Sequence, residues 1–489
     1  MQLTLRIAQQ YYGSGEGPDL SEPTKITRRH ALTGAAALGS LGALRAFGLP
    51  LSANDKANIA FIGIGNYGAQ NLVNLASENI VAVCDVDWRD AKELPGRFTR
   101  ACDVAAQYSS AKRFDDWRVM LEQMDKNIDA VVVCGADHMH AQAALTAMKM
   151  GKHTYCEKPL AATVGEVRAM QSSARKHPKQ ATQTGIVGHA SEDVRLIVEW
   201  IKAGAIGTVE RVDVYQSDWQ AGARYINAYS ALEHIHDDVP VPAEVKWDLF
   251  LGPAPERLYN PMYIPMRWRN WQDFGTGIFG DHGPHFLDPV VWALDLDYPE
   301  TLEGDADPAY TGEASRQMFA RYSHVNYRFA AKGSRPAVTL KWWGYDTPPA
   351  PPGWKKDTPL PTGGGIFYGS KGVLVYGPVY SSKPGEQKQV WLLPAELDRD
   401  FKRPAKTIVR PSSHWMEWIE AAKGGTQPSC NWEYGGHITE LCLLGNIAIA
   451  HHGTVLHFDH GKRSFVNSDS ANAMFTRPRR KGWELPVES

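Results

Sequence analysis

Short apolar runs alternate with segments of helical periodicity over the first third of the chain. The buried strands that this pattern predicts lie at 58–62, 80–84, 130–134 and 154–156, with helices at 69–76, 115–124, 138–150 and 160–177. Apolar strands separated by helices are typical of a parallel sheet that is covered by helices on both faces. The pattern therefore predicts an α/β protein whose first domain is a doubly wound parallel sheet.

A glycine-rich turn follows the first predicted strand, and an acidic residue ends the second. Asp85 lies 22 residues after Gly63, near the distance of about 20 expected in a dinucleotide-binding Rossmann unit. The glycines allow a tight turn that brings the pyrophosphate to a helix N-terminus. We therefore expect the cofactor loop to contain Gly63, Gly65, Asn66, Tyr67 and Gly68.

The acidic residue also indicates which dinucleotide binds. Asp85 can accept hydrogen bonds from the adenosine ribose hydroxyls, which favours NAD. Arg89 lies four residues later, and a nearby arginine can accommodate a 2′-phosphate. The expected cofactor is NAD, with NADP left open.

Several motifs resemble the Gfo/Idh/MocA family, which is named for glucose–fructose oxidoreductase and inositol dehydrogenase. Glu157-Lys158-Pro159 resembles its Glu-Lys-Pro motif, the segment at 247–253 its WDLWLGP-type segment, and the segment at 280–288 its catalytic GDxGxHxxD stretch. The likeness covers about residues 58–486. It implies an N-terminal Rossmann domain and a C-terminal α/β domain whose open, mostly antiparallel sheet covers the active site. It also implies a homo-oligomer.

The resemblance divides the chain into four parts. We expect a leader at 1–53, the NAD(P)-binding Rossmann domain at 54–182, the substrate and oligomerisation domain at 183–455, and a tail at 456–489 that packs back on the core. One departure concerns Gly135-Ala136, where many relatives have Thr-Pro. His140 still matches the family's common histidine, and with Glu157 and Lys158 it is expected beside the cofactor.

Lys158, Asp281 and His285 match the family's catalytic trio. A histidine with an ordinary pKa near 6.5 suits proton transfer, and a lysine ammonium can stabilise alkoxide character on the reacting oxygen. Asp281 lies four residues before His285, so on a helix both would share one face. Two alternatives stay open: Asp281 could cap the helix N-terminus, and Glu157 could only neutralise Lys158.

Other side chains are weaker candidates. The proposed substrate contacts are His189, Trp268, Trp271 and His282. Each could equally be structural. His189, Asp281, His282 and His285 could also bind a transition metal, but their spacing is not diagnostic and we predict no metal.

The leader contains Arg28-Arg29, followed by an apolar Gly/Ala-rich run at 33–44. This arrangement resembles a twin-arginine export signal, which predicts a periplasmic or other extracytoplasmic location. The run is shorter than the roughly 20 residues that span a bilayer, so no stable membrane span is expected. The alternative is a chance arginine pair on a cytoplasmic protein. The net charge of −2 gives no indication of nucleic-acid binding.

These features favour an NAD(P)-dependent oxidoreductase that acts on a secondary alcohol of a sugar, sugar derivative or glycoside. Because an exported enzyme has no external NAD pool, the nicotinamide is expected to be tightly bound. One alternative is a redox-neutral, NAD-dependent glycoside hydrolase, and retention of Lys158 favours the oxidoreductase over it. The other alternative is a non-catalytic NAD-binding subunit.

Overall fold

The structure, a computed structural model, describes residues 55–94, 98–217, 229–379 and 389–487. The predicted leader at 1–53, with Arg28-Arg29, lies outside the described residues. The described residues form two sheets, one in each predicted α/β domain. No helix in the described ranges is both long and apolar enough to cross a membrane.

The first sheet has six parallel strands in the order β3-β2-β1-β4-β5-β6. Its strands are β1 Asn58–Ile62, β2 Asn79–Cys84, β3 Lys112–Phe114, β4 Ala130–Val133, β5 His153–Cys156 and β6 Thr182–Thr184. Its helices are α1 Tyr67–Asn74, α2 Ala101–Gln107, α3 Trp117–Met124, α4 Asp137–Lys149 and α5 Val164–Lys176. The predicted doubly wound parallel sheet is confirmed.

Both edge strands of this sheet were missing from the prediction. β3 is three residues long and its first two residues are exposed, so it shows no apolar run. The helix expected from residue 160 begins instead at Val164, because Thr163 and Glu166 form a capping box there. Pro159 therefore precedes the helix and does not start it.

The second sheet has nine strands in the order β13-β12-β11-β7-β10-β9-β8-β14-β15. They are β7 Val209–Gln216, β8 Thr301–Ala306, β9 Ser323–Phe329, β10 Val338–Gly344, β11 Gly363–Gly369, β12 Val373–Tyr376, β13 Val390–Leu393, β14 Val455–Asp459 and β15 Ser464–Phe465. Apart from the parallel pair β7–β10, these described strands pair antiparallel. The open, mostly antiparallel sheet is confirmed.

Long helices cover one face of this sheet and lie between it and the first domain. The helices of the second domain are α6 Glu192–Lys202, α7 Trp247–Leu251, α8 Gly277–Leu294, α9 Gly312–Gln317, α10 Ala395–Asp400, α11 His414–Ala422, α12 Trp432–Ala450 and α13 Asp469–Ala473. Helix α8 packs on α6, α12 and β7. Its first turns face the first domain and carry the predicted catalytic residues.

Late parts of the chain return to the first domain. Trp415 and Trp418 of α11 belong to the same apolar cluster as Phe61 of β1. Trp415 Nε1 also donates to Asn71 Oδ1 at 2.6 Å. The segment expected to be a tail from residue 456 begins within β14, which pairs with β8. The two domains thus share packing, and the functional cleft lies where they meet.

Candidate active site

Two glycines of the turn after β1, Gly63 and Gly68, leave no room for a side chain. A Cβ on Gly68 would lie 2.1 Å from the Gly63 carbonyl oxygen, and one on Gly63 would lie 2.8 Å from the backbone nitrogen of Gly135. Gly63 also has a φ of +81°, which glycine adopts without steric cost. The loop therefore presses directly on the backbone after β4, and the N-terminus of α1 faces open space suited to a pyrophosphate.

Asp85, at the end of β2, stabilises this loop through hydrogen bonds to its backbone. Its Oδ2 accepts hydrogen bonds from the backbone nitrogens of Ile64 (2.8 Å) and Gly65 (3.2 Å). Its Oδ1 accepts from the backbone nitrogens of Val86 and Asp87. Burial raises the pKa of Asp85, while these amides oppose the rise. The residue thus fixes the shape of the glycine loop as well as facing the cleft.

A second segment, at Thr99, forms two hydrogen bonds with Asn66 of the glycine loop, which are here called the Asn66–Thr99 clasp. The Asn66 backbone nitrogen donates to the Thr99 carbonyl oxygen at 2.8 Å, and the Thr99 nitrogen donates to Asn66 Oδ1 at 3.3 Å. Asn66 has a φ of +47°, and asparagine tolerates this left-handed region better than most residues. Sequence reasoning missed this clasp because its two sides come from different elements.

Arg89, the residue that left NADP open, is held by a neighbouring carboxylate. Its Nη2 lies 2.6 Å from Asp87 Oδ2 and its Nε lies 2.8 Å from Asp87 Oδ1. Nη1 lies 3.3 Å from the Tyr259 hydroxyl. Arg89 and Asp87 both line the cleft, so the charge that would attract a 2′-phosphate is already paired.

His140 and Glu157 hold the loops that end β4 and β5. The two ring nitrogens of His140 lie 2.8 Å from the Pro159 carbonyl oxygen and 3.0 Å from that of Gly135. Burial lowers the pKa of His140, so the ring is neutral. Glu157 Oε1 accepts from Asn71 Nδ2 at 2.9 Å. Both residues line the cleft, and their polar atoms tie the strand ends together.

Lys158 and Asp281 form an ion pair across the two domains. Lys158 Nζ lies 2.7 Å from Asp281 Oδ1 and 2.8 Å from the Asp281 carbonyl oxygen. Arg269 Nε lies 3.3 Å from Asp281 Oδ2. Burial opposes ionisation of Asp281, but Lys158 and Arg269 outweigh it and hold its pKa well below the usual value. Asp281 is therefore a carboxylate at neutral pH.

His285 lies on the same face of α8 as Asp281. The helix begins at Gly277 after the cap position Thr276, so Asp281 is inside it and the alternative of Asp281 as a cap is wrong. Burial and the nearby Lys158 ammonium keep the pKa of His285 well below its usual value. The imidazole is neutral at neutral pH, and its pKa lies below the ordinary value near 6.5 on which the sequence argument for proton transfer rests.

The cofactor loop and the catalytic trio line one cleft of about 570 Å³, a size typical of small-molecule sites. The predicted residues on its wall are Gly63, Gly65, Asn66, Tyr67, Asp85, His140, Glu157, Lys158, Trp268, Asp281, His282 and His285. Gly68 lies behind the loop, against Gly63. Sequence reasoning thus located both halves of the cleft.

Two of the four expected substrate contacts lie elsewhere. His189 is buried, donates from Nδ1 to Asp288 Oδ1 at 2.8 Å, and stacks on Trp292. Trp271 is fully buried and packs edge-to-face on Tyr263. Their structural roles were open alternatives, which spacing could not decide. Because His189 points away, it does not join Asp281, His282 and His285 in a four-ligand metal site.

Trp268 and His282 do face the cleft. Trp268 packs against the Arg269 guanidinium, whose carbon lies 4.3 Å from the ring centre. His282 Nδ1 accepts from Gln216 Nε2 at 3.0 Å. Sequence reasoning missed Arg269 and Asp137, which also line the cleft. Arg269 stands beside the predicted Trp268, and Asp137, the first residue of α4, directly follows the Gly135-Ala136 pair.

Two family models match successive parts of the chain. The model for the oxidoreductase family's NAD-binding Rossmann fold matches residues 57–185, and that for its C-terminal alpha/beta domain matches 190–334. Together they match more than half of the 489 residues. The chain belongs to the Gfo/Idh/MocA oxidoreductase family. Its first domain is an NAD-binding Rossmann domain.

The individual relatives align with only part of this chain and at low sequence identity. Inositol 2-dehydrogenase of Salmonella typhimurium is 30% identical over 156 residues, which are 31% of this chain and 43% of that protein. A glycosyl hydrolase family 109 protein of Saccharopolyspora erythraea is 25% identical over 265 residues, which are 52% of this chain and 48% of that protein. The chain thus spans less than half the length of these two curated relatives.

A solved structure with a similar fold is the WlbA dehydrogenase of Bordetella pertussis in complex with NADH and UDP-GlcNAcA. The two chains are 15% identical and have a TM-score of 0.55, and the aligned region covers 84% of this chain and 99% of the WlbA chain. At this identity the likeness concerns the fold alone. It agrees with the two-domain arrangement described above.

Proposed function

We propose that the protein is an NAD(P)-dependent oxidoreductase that oxidises a secondary alcohol of a sugar, sugar derivative or glycoside. The observation that carries this proposal is the Lys158–Asp281 pair, which stands with His285 in the same cleft as the glycine loop. Inositol dehydrogenases among the curated relatives support a polyhydroxylated substrate.

The residues present fit a dinucleotide. Gly63 and Gly68 exclude side chains from the closest contacts of the turn, and the N-terminus of a helix such as α1 suits a pyrophosphate. Asp85 stands where the ribose hydroxyls of NAD would be bound, and the Asn71–Glu157 hydrogen bond fixes the cleft wall at the end of β5. Bound in this cleft, nicotinamide supplies the hydride acceptor.

His285, Lys158 and Asp281 have different roles at the substrate hydroxyl. His285, neutral because it is buried, accepts the hydroxyl proton. Lys158 places its ammonium against the reacting oxygen and stabilises alkoxide character there. Asp281 orients Lys158 and, through its position one turn before His285, shapes the pocket for a substrate hydroxyl.

Tight cofactor binding is part of the proposal. The Asn66–Thr99 clasp crosses the pyrophosphate loop, and Trp483 from the end of the chain completes the wall of the cleft. A dinucleotide enclosed in this way is expected to remain bound with a Kd well below about 1 µM, or more than ~8 kcal/mol.

A redox-neutral glycoside hydrolase is the second candidate. The family 109 glycosyl hydrolase of Saccharopolyspora aligns with a larger share of this chain than the Salmonella dehydrogenase does. Such an enzyme oxidises, eliminates, adds water and reduces again on one bound cofactor. Retention of Lys158 in the Glu-Lys-Pro motif favours simple oxidation.

One experiment separates these functions. Protein purified without added nucleotide is denatured to quantify released dinucleotide, then assayed with free sugars, polyols and aryl glycosides in NAD-free buffer. The oxidoreductase forms a ketone and one equivalent of reduced cofactor per chain, or continues when a second carbonyl compound is supplied. Steady release of aglycone without an acceptor identifies the hydrolase. If the protein binds the cofactor and shows neither activity, it is the non-catalytic NAD-binding subunit.

Export by the twin-arginine route and homo-oligomer formation also remain proposals. They are supported by Arg28-Arg29 with the apolar run behind it, and by the open sheet of the second domain. Replacing both arginines by lysine is expected to retain the protein in the cytoplasm, as measured by cell fractionation. Unchanged fractionation would contradict the export proposal. Light scattering of the folded protein gives the oligomeric state.

A further inference from the structure

Asp137 is a buried carboxyl group of the cleft that the roles above do not use. It is the first residue of α4, directly after the central strand β4, and only 3% of it is exposed. It lines the same cleft as Lys158 and Asp281. Its Oδ2 accepts a hydrogen bond from Thr276 Oγ1 at 2.6 Å, so the carboxyl crosses from the first domain to the second.

Thr276 stands at the start of the catalytic helix. It is the cap position of α8, yet its side chain makes no capping bond to that helix and donates to Asp137 instead. Its carbonyl oxygen accepts from Asn446 Nδ2 at 2.7 Å. A Cβ at Gly280 would lie 2.2 Å from Thr276 Oγ1. Gly280, directly before Asp281, therefore allows the hydroxyl to reach Asp137.

The same turn of α4 contacts this segment again. The His138 backbone nitrogen donates to the Phe274 carbonyl oxygen at 3.2 Å. His138 Nε2 lies 2.8 Å from the Phe250 carbonyl oxygen. The first turn of α4 is thus bound to Thr276 through the Asp137 side chain and to Phe274, two residues before Thr276, through its backbone.

We propose that Asp137 is a positioning residue of the active site, which sets the placement of Asp281 and His285 through Thr276 and the start of α8. It acts on the substrate through these residues and not by touching it. The inference rests on the proposed function for its effect on turnover, but the Asp137–Thr276 link can be measured without any substrate.

The charge of Asp137 changes in the neutral range. Burial raises its pKa to about 7; Asp281 adds to the rise, whereas Thr276, Arg269 and Lys158 oppose it. On its own helix, burial lowers the pKa values of His138 and His140, so both are neutral. Ionisation of Asp137 therefore adds a second carboxylate near the Lys158–Asp281 pair and competes for its cations.

The test compares three variants with the wild type. Asp137→Asn keeps an acceptor for Thr276 but cannot ionise. Thr276→Val removes the hydroxyl, and Thr276→Ser restores it as a matched control. Each protein is titrated by infrared spectroscopy from about pH 5 to about pH 9, following the carboxylic acid band that Asp137→Asn removes. The pH profiles of kcat and KM, and the bound dinucleotide, are measured on the same samples.

We expect the wild type to lose the Asp137 acid band near pH 7 and to show a step in kcat at the same midpoint. Asp137→Asn abolishes the step and keeps the bound dinucleotide. Thr276→Val raises the midpoint by about one unit, the scale of a hydrogen bond to a carboxylate, and Thr276→Ser restores it.

A kcat step that persists in Asp137→Asn, or a midpoint that Thr276→Val leaves unmoved, would overturn the proposal. If no sugar or polyol is oxidised by the wild type, the proposed function fails. The infrared midpoints of wild type, Thr276→Val and Thr276→Ser still decide whether the Asp137–Thr276 link exists.

Discussion

The Lys158 ammonium and the Asp281 carboxylate lie 2.7 Å apart, although 123 residues separate them in the chain. One comes from the end of a strand in the first domain and the other from a helix of the second. Both side chains are largely buried, and removing one partner of such a pair leaves the other charge uncompensated. The candidate active site is therefore complete only when the two domains are in contact.

Removal of Lys158 or of His285 is expected to lower turnover sharply. Lys158→Ala and His285→Ala should each lower kcat by at least ~100-fold, the scale of general acid–base contributions, while the bound dinucleotide is retained. Lys152→Ala is a matched control, since Lys152 also forms an ion pair, with Asp125 at 2.8 Å, but does not line the cleft. Wild-type turnover in both active-site variants would rule out the catalytic roles.

Loss of Asp85 is expected to weaken NAD binding. Asp85→Ala removes the acceptor for the ribose hydroxyls and the brace on the backbone of Ile64 and Gly65. The Kd for NAD should rise and selectivity over NADP should fall, as measured by calorimetry on protein stripped of its cofactor. Asp129→Ala, which loses a comparable bond to the Asn58 nitrogen, serves as control. Unchanged affinity for both dinucleotides would refute the assignment.

Release of Arg89 is expected to admit NADP. In the structure Asp87 holds the guanidinium through two contacts, so Asp87→Ala frees it for a 2′-phosphate. We expect about tenfold tighter NADP binding, equal to ~1.4 kcal/mol. The Asp87→Ala, Arg89→Ala double variant should lose this gain. If the double variant binds NADP as tightly as the single one, Arg89 is not the phosphate partner.

His138 is expected to make stability depend on pH on the acid side. Burial lowers its pKa from 6.5 to about 3, so the unfolded chain takes up a proton that the folded chain refuses. Its contribution is fully present above the unfolded pKa and is lost as pH falls from about 6.5 towards 3, at ~1.4 kcal/mol per pH unit. Urea unfolding at several pH values should show a shallower loss for His138→Asn. Parallel curves for the two proteins would contradict this prediction.

The sequence was most informative where chemistry and local structure coincide. The glycine turn, Asp85 and the GDHGPH stretch predicted both halves of the cleft, because close backbone approach and i, i+4 spacing are local properties. The contacts that join distant segments left no local pattern. The contact of Thr99 with the glycine loop and that of Thr276 with Asp137 each depend on how separate elements pack. No residue spacing in the sequence indicates either contact.

Burial also decided between residues that look alike in sequence. Trp268 and Trp271 are three residues apart, but only Trp268 faces the cleft, while Trp271 packs against Tyr263. His282 and His189 differ in the same way. An aromatic or histidine side chain suits a core as well as a substrate pocket. Which of these residues faces the cleft therefore depends on the fold of the 267–270 segment and α8.

Residues 479–484 link three helices of the first domain from a distant part of the sequence. Arg118 packs on the ring of Trp483 with 4.0 Å between guanidinium carbon and ring centre, and Gln142 donates to the Glu484 carbonyl oxygen at 3.0 Å. Arg479 pairs with Glu166, which also caps α5. One short segment therefore joins α3, α4 and α5, so a substitution within it is expected to alter the cleft wall that Trp483 lines.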